Sequence, residues 1–80
     1  MSHSREDILG QTRKILIELF ELEHSELTED ALIYEDLDID SIDTVDLLIE
    51  LKRFTSKDIK PQDFSGSKTL GEIVTVISEY

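Results

Sequence analysis

Cysteine is absent from the 80 residues, so neither a disulfide bridge nor a cysteine-ligated zinc site can reinforce this fold. The chain also has no tryptophan and only one proline, and its longest uncharged apolar runs are a few residues. Such runs are too short to cross a bilayer. The polar start, MSHSREDILG, does not have the pattern of a secretory signal. We therefore expect no membrane insertion and a cytoplasmic location.

Basic residues are missing from the centre of the chain. Residues 15–51 contain thirteen of the nineteen acidic residues and none of the eight lysines and arginines, and the net charge is −11. A field of this sign repels nucleic acid and anionic membranes and favours partners with a basic face. A solubilising surface would explain the acidity equally well, but a long stretch without any base favours a basic partner.

Two amphipathic helices are predicted near the ends of one small domain, residues 1–80. The first spans about residues 5–21 and starts at the capping-box spacing of Ser4 and Asp7, and the second spans about residues 69–79 and starts at Thr69 and Glu72. Their apolar residues recur at helical spacing and are expected in the core. These residues are Ile8, Leu9, Ile15, Leu16, Leu19, Phe20, Leu70, Ile73, Val74, Ile77 and Tyr80.

In the two segments that connect the predicted helices, the apolar residues do not recur at a sustained helical or strand spacing. Residues 22–40 are too apolar to extend into solvent, so we expect an ordered loop packed over the helices. Its candidate anchors are Leu27, Ala31, Leu32, Ile33, Tyr34 and Leu37. In the later segment, TSKDIKPQDFSGSK, Ile59 and Phe64 are the expected anchors, and Pro61 can start a short helical turn.

A third helix, from Ser41 to about Phe54, carries two apolar stripes instead of the usual one. One stripe contains Leu47, Leu48, Leu51 and Phe54, and the other contains Ile42, Val45 and Ile49 beside Asp43, Asp46 and Glu50. The second stripe either packs under the long loop or forms an exposed docking surface with an acidic rim. The pattern alone leaves both possibilities open.

Five aspartates surround the serine that begins this helix, in the stretch DLDIDSIDTVDLL. Asp36, Asp38 and Asp40 match the opening of a calcium-binding EF-hand loop. That loop needs glycine at its sixth position and glutamate at its twelfth, where this chain has Ser41 and Leu47. We therefore expect no metal site here.

The role of Ser41 has several further interpretations. Hydrolase chemistry needs a base near the hydroxyl, but the only histidines, His3 and His24, lie in no catalytic motif. Ser41 can serve simply as a helix N-cap. Asp40 can cap equally well, with Asp43 three residues later, which would leave the hydroxyl free for chemistry.

The sequence from Asp40 to Leu47, DSIDTVDL, resembles the Asp-Ser-Leu motif and following helix of the acyl carrier protein family. The preceding LTEDALIYEDLDID is similar to the first loop of that family, and the likeness extends over essentially the whole chain in length, acidity and helix order. It implies an all-α fold, a small four-helix bundle with a long first loop and a short third helix.

The resemblance also implies a function, as a carrier protein and not as an enzyme. Ser41 would carry 4'-phosphopantetheine, delivered from coenzyme A by a phosphopantetheinyl transferase, and the terminal thiol would hold acyl groups as thioesters. Partners would be basic-faced synthases, reductases, dehydratases or acyltransferases of fatty-acid, polyketide or specialised lipid synthesis, and we expect a monomer. The recognition surface would be Asp40, Ile42, Asp43, Val45, Asp46, Ile49 and Glu50, and the opposite stripe would line the core and an acyl cavity.

Several positions depart from the family pattern. Asp38 stands where many carriers have glycine, although aspartate tolerates a left-handed conformation better than most residues. Ile42 replaces the usual leucine. Lys52 and Arg53 stand at positions where the corresponding helix of the family often has further acidic residues. These departures bear on partner choice more than on modification. A peptidyl carrier, or an unmodified acidic interaction module in which Ser41 is a cap or a kinase target, are the alternatives.

Overall fold

The computed structural model describes residues 4–64 and 66–80, which form three α-helices joined by two ordered connections. Within these residues there is no β-strand, only an isolated bridge between Leu32 and Thr69. The helices are α1 (Arg5–Phe20), α2 (Ser41–Thr55) and α3 (Leu70–Ser78), and two short 3₁₀ turns span His24–Glu26 and Pro61–Phe64. No helix in this part of the chain has the length and apolar content needed to span a membrane.

The predicted capping box at the start of α1 is confirmed. The Ser4 hydroxyl accepts a hydrogen bond from the Asp7 N–H at 3.1 Å, and the Asp7 carboxylate accepts one from the Ser4 N–H at 3.3 Å. The helix ends at Phe20 because Glu21 adopts a left-handed conformation, φ 56°, while its N–H still donates to the Ile17 carbonyl. Aspartate in the first turn also suits the positive end of the helix dipole.

Helix α3 begins with a modified version of the predicted cap. The Thr69 hydroxyl accepts from the Glu72 N–H at 3.2 Å, as a capping box requires. The Glu72 carboxylate, however, accepts from the N–H of Lys68 at 3.1 Å, one residue before the position that the motif predicts. The two bonds still satisfy backbone donors on both sides of the helix start.

The core forms where α1 contacts both α2 and α3. Most predicted core residues are buried, but Leu19, Tyr34 and Tyr80 are 44%, 54% and 40% exposed, so the expectation that they join the core was wrong. Tyr80 stays at the surface because its hydroxyl accepts from the Lys60 N–H at 3.3 Å, a bond made at the rim of the bundle.

The long connection between α1 and α2 is ordered, as predicted, and its backbone is bonded to the start of α3. The Ile33 N–H donates to the Lys68 carbonyl at 2.9 Å, and the Leu70 N–H donates to the Ala31 carbonyl at 3.0 Å. At Gly71 a Cβ atom would meet Glu29 atoms at 3.1 Å, so glycine allows this close approach. The loop is therefore held against the start of α3, and one side of α2 stays exposed.

Arg5 joins α1, the loop and α3 through one guanidinium. It donates to the Glu29 carboxylate at 2.5 Å, to the Gly71 carbonyl at 3.2 Å and to the Thr75 hydroxyl at 3.1 Å. The hydrogen bond from Arg5 lowers the pKa of the Glu29 carboxyl below its usual value, although loss of hydration opposes this shift. The contact therefore favours the ionised carboxylate and holds the loop against the bundle.

The connection between α2 and α3 contains the turn predicted at Pro61, with Ile59 and Phe64 buried as expected. This turn, Pro61–Phe64, is a 3₁₀ helix of four residues. The predicted four-helix count is therefore not confirmed. The all-helical class is confirmed, because three α-helices and two short 3₁₀ helices account for the regular structure of the described residues.

Candidate functional site

Ser41 is the first residue of α2, and its side chain is exposed. Asp40 caps the helix, as one sequence interpretation required: its carboxylate accepts from the Asp43 N–H at 2.8 Å, and the Asp43 carboxylate accepts from the Asp40 N–H at 3.4 Å. Among the described residues, the Ser41 hydroxyl has no hydrogen-bond partner. The hydroxyl is thus not needed for capping.

The chain reaches this helix through a left-handed residue. Asp38 has φ 55°, a conformation that most non-glycine residues avoid. The turn places Leu37 and Ile39 in the core, 3% and 1% exposed, while Asp40 stays at the surface to begin the helix. The prediction that aspartate can support this turn in place of glycine is confirmed.

Asp38→Val should destabilise the protein by about 1–2 kcal/mol, because a β-branched side chain in a left-handed conformation clashes with its own backbone. Asp38→Gly should leave stability almost unchanged, since relief of strain is offset by the greater freedom of glycine in the unfolded chain. Urea unfolding of both variants measures the difference. Equal stabilities would show that the left-handed turn does not constrain this position.

Two of the three aspartates just before Ser41 bind backbone groups. The Asp36 carboxylate accepts from the Leu32 N–H at 2.9 Å, and Asp40 caps α2. No group of three histidine, aspartate or glutamate side chains in residues 4–64 and 66–80 lies close enough to hold a metal ion. The acidic cluster therefore shapes the loop and the helix start.

Helix α2 has one buried face and one exposed apolar face. Leu47, Leu48 and Leu51 are buried, as predicted for the first stripe. Ile42, Val45 and Ile49 are 73%, 45% and 46% exposed, so the second stripe does not pack under the long loop. We call this stripe and its acidic rim the α2 surface, which comprises Asp40, Ile42, Asp43, Val45, Asp46, Ile49 and Glu50.

The basic residues of α2 lie in its last turn and contact acids of the same chain. Lys52 lies 3.7 Å from the Asp58 carboxylate, and Arg53 lies 3.5 Å from that of Glu50. Asp40, Asp43 and Asp46 have no ion-pair partner among the described residues. The half of the α2 surface near Ser41 therefore keeps a negative charge that no basic side chain of the described residues neutralises.

A groove of about 280 Å³ begins at Ser41 and continues along α2 toward the Pro61–Phe64 turn. A second, smaller pocket of about 10 Å³ lies between α2, Phe64 and Ile73 of α3. The groove is lined by Tyr34, Ser41, Thr44, Val45, Leu48, Pro61 and Phe64. A phosphopantetheine arm fits this site, because an exposed, unbonded hydroxyl opens onto a groove that is mostly apolar with polar groups at its edge.

Sequence reasoning did not identify Tyr34, Thr44, Pro61 and Phe64 as lining residues of the site. Tyr34 and Phe64 were predicted as core anchors, and only Phe64 is buried. The groove brings together three segments that are distant in the chain, so no local spacing reveals it.

Comparisons with known proteins identify the family of this chain. A family model described as a phosphopantetheine attachment site matches residues 11–77. Acyl carrier protein 2 from Ralstonia nicotianae is 38% identical over 71 residues, which cover 89% of this chain and 88% of that protein. The acyl carrier protein from Rhodococcus erythropolis is 32% identical over 79 residues, 99% of this chain and 87% of that protein.

The fold of this chain also matches that of a solved structure. The acyl carrier protein from Enterococcus faecalis aligns with a TM-score of 0.78 and 28% identity, over 96% of this chain and 98% of the other. Sequence and structure thus agree over almost the full length of the chain. The chain belongs to the acyl carrier protein family and is a phosphopantetheine-dependent carrier protein, not an enzyme.

Proposed function

We propose that Ser41 is the residue that carries 4'-phosphopantetheine, through a phosphodiester bond to its hydroxyl. The observation that supports this most strongly is that Asp40, and not Ser41, caps helix α2. Asp40 makes the capping hydrogen bonds, whereas the exposed Ser41 hydroxyl has no partner in the described part of the chain. A serine needed only as a cap would make the bonds that Asp40 makes.

The surroundings of Ser41 suit a phosphate that another protein delivers. The first backbone N–H groups of a helix have no partner within it, and the positive end of the helix dipole stabilises a negative charge there. The nearby aspartates oppose a phosphate, so their charge must serve a different purpose, which is to attract a basic enzyme. A phosphopantetheinyl transferase would supply the base that activates the hydroxyl.

The prosthetic group supplies the thiol that this chain does not contain, and acyl intermediates are held on it as thioesters. We place the docking of partner enzymes on the α2 surface, where three exposed apolar side chains lie beside carboxylates. Such a surface fits basic-faced synthases, reductases, dehydratases and acyltransferases of fatty-acid, polyketide or specialised lipid synthesis, and it fits the transferase.

Residues 1–80 would act as one monomeric domain in the cytoplasm. The Pro61–Phe64 turn would take the place of the short third helix of a four-helix carrier bundle, since it lies between α2 and α3 and contributes Phe64 to the core. This arrangement leaves the α2 surface and Ser41 on the same side of the bundle.

Incubation of the apo protein with coenzyme A, magnesium and a broad-specificity phosphopantetheinyl transferase tests the proposal. The intact mass should rise by one phosphopantetheine group. An unchanged mass, under conditions that load a control carrier protein fully, would instead support an unmodified interaction module in which Ser41 is only a surface hydroxyl.

A further inference from the structure

Helix α2 presents charges of both signs on its exposed side, separated along its length. Asp43 and Asp46, in the half near Ser41, have no ion-pair partner among the described residues. Both basic residues of the helix, Lys52 and Arg53, lie in its last turn. The exposed side of α2 therefore offers a partner opposite charges at its two ends.

Arg53 lies on the same side of the helix as the acidic rim. At 100° per residue, Arg53 is within about 20° of Asp46, and it follows Asp46 at a distance of about 10 Å along the helix axis. Lys52 and Arg53 follow Ile49 by three and four residues, so they flank the far end of the exposed apolar stripe. A partner that covers the stripe from Val45 to Ile49 therefore also meets the basic turn.

The cations of this turn are only loosely paired with acids of the same chain. The Arg53 guanidinium lies 3.5 Å from the Glu50 carboxylate, yet 76% of the Arg53 side chain is exposed. Lys52 lies 3.7 Å from the carboxylate of Asp58, whose side chain is 82% exposed. Exposed ion pairs of this kind add little to folding stability, so a carboxylate of a partner can replace Glu50 as the counter-charge of Arg53.

The two charged regions are far enough apart for a partner to sense each of them. Interactions between exposed charges are largely screened beyond about 8 Å at physiological ionic strength. Asp46 and Arg53 are about 10 Å apart along the helix axis, so they neutralise each other only weakly. A cation opposite Asp46 is attracted, whereas a cation opposite Arg53 is repelled.

We propose that α2 selects partners with a divided docking face, which has basic residues opposite the carboxylates near Ser41 and a carboxylate opposite Arg53. The carboxylates near Ser41 are those of Asp40, Asp43 and Asp46. A face that is basic along its whole length meets repulsion at the last turn and binds less tightly. Arg53 is thus a specificity-determining residue. This inference rests on the proposed docking of partners on α2 and specifies the charge pattern of those partners.

Charge reversal at Arg53 tests the inference, with a broad-specificity phosphopantetheinyl transferase whose docking face is basic throughout as the probe. Arg53→Glu should raise kcat/KM for loading about three- to tenfold at low ionic strength, because repulsion at the last turn becomes attraction. Arg53→Gln, a milder change, should give a smaller rise, and both gains should shrink at high salt. Thermal unfolding should show that both variants stay folded, because the side chain is exposed.

Lys14→Glu is the matched control. It makes the same change of net charge at an exposed position on α1, away from the proposed docking surface, so it should alter kcat/KM less than about twofold. An equal rise in Lys14→Glu would overturn the inference, because loading would then follow net charge alone.

Single Lys→Glu and Arg→Glu substitutions across the docking face of the transferase complete the test. At the position opposite Arg53, the substituted transferase should load the wild-type chain faster than the Arg53→Glu chain, which reverses the preference of the unsubstituted enzyme. The inference is overturned if Arg53→Glu lowers loading or leaves it unchanged, or if no substitution reverses the preference. A wild-type chain that does not load at all would instead overturn the attachment proposal.

Discussion

The Ser41→Ala variant is expected to show no phosphopantetheine mass gain, while its stability stays within about 0.5 kcal/mol of the wild type. Loading is lost because the acceptor oxygen is removed. Stability is kept because Asp40, not Ser41, caps helix α2 and because the Ser41 side chain is exposed. Intact-mass measurement of loading and urea unfolding of the apo protein check the two parts.

Two matched variants make this result specific. Ser25→Ala removes another exposed hydroxyl, in the first 3₁₀ turn, and should load completely. Asp40→Ala should lose about 1 kcal/mol of stability, since it removes the helix cap. A loaded Ser41→Ala protein, or a Ser41→Ala protein that loses as much stability as Asp40→Ala, would contradict the division of roles between these neighbours.

Val45→Asp and Ile49→Asp are each expected to slow loading by the transferase at least about tenfold in kcat/KM. Both residues are about half exposed on the α2 surface, so a partner that buries them would have to bury an unpaired carboxylate in the variants. The fold should survive, with stability within about 1 kcal/mol of the wild type, because neither side chain belongs to the core. Steady-state kinetics and thermal unfolding measure both effects.

Leu19→Asp and Leu48→Asp are the controls for these docking variants. Leu19, on α1, is 44% exposed, almost the same fraction as Val45, and its replacement should leave kcat/KM unchanged. Leu48 is 5% exposed, so an aspartate there should unfold the protein. If Val45→Asp unfolds as Leu48→Asp does, the second stripe belongs to the core. If Leu19→Asp slows loading equally, docking does not depend on the α2 surface.

Local patterns were sufficient to predict the helices and the start of the site. The capping spacings at Ser4 and Asp40 predict bonds that the structure contains, because a cap depends only on residues three apart. The left-handed turn at Asp38 was also foreseeable, since few residues other than glycine tolerate that conformation as well as aspartate.

The exposure of the second stripe on α2 was not predictable from its periodicity. Ile42, Val45 and Ile49 would be buried if the long loop covered them, and helical spacing contains no information on where the loop lies. The loop instead forms backbone hydrogen bonds with residues near the start of α3, through Ile33 and Ala31. That choice depends on tertiary contacts, which a single sequence does not reveal.

The groove beside Ser41 was missed for a similar reason. Tyr34, Thr44 and Phe64 come from three segments, and each was interpretable alone as an ordinary loop or core residue. Phe64 in particular is a buried anchor by its pattern, and only the folded chain shows that it also lines the groove at Ser41. Residues from distant segments that meet in this way can be recognised only in the folded chain.

Fragmentation mass spectrometry of the transferase-loaded protein tests the central claim most directly, because it locates the prosthetic group on a residue. The account predicts a single phosphopantetheine on the peptide that contains Asp40, Ser41 and Ile42, with the fragment ions placing it on Ser41. A phosphopantetheine found on any other residue, or a protein that remains unmodified beside a fully loaded control carrier, would contradict it.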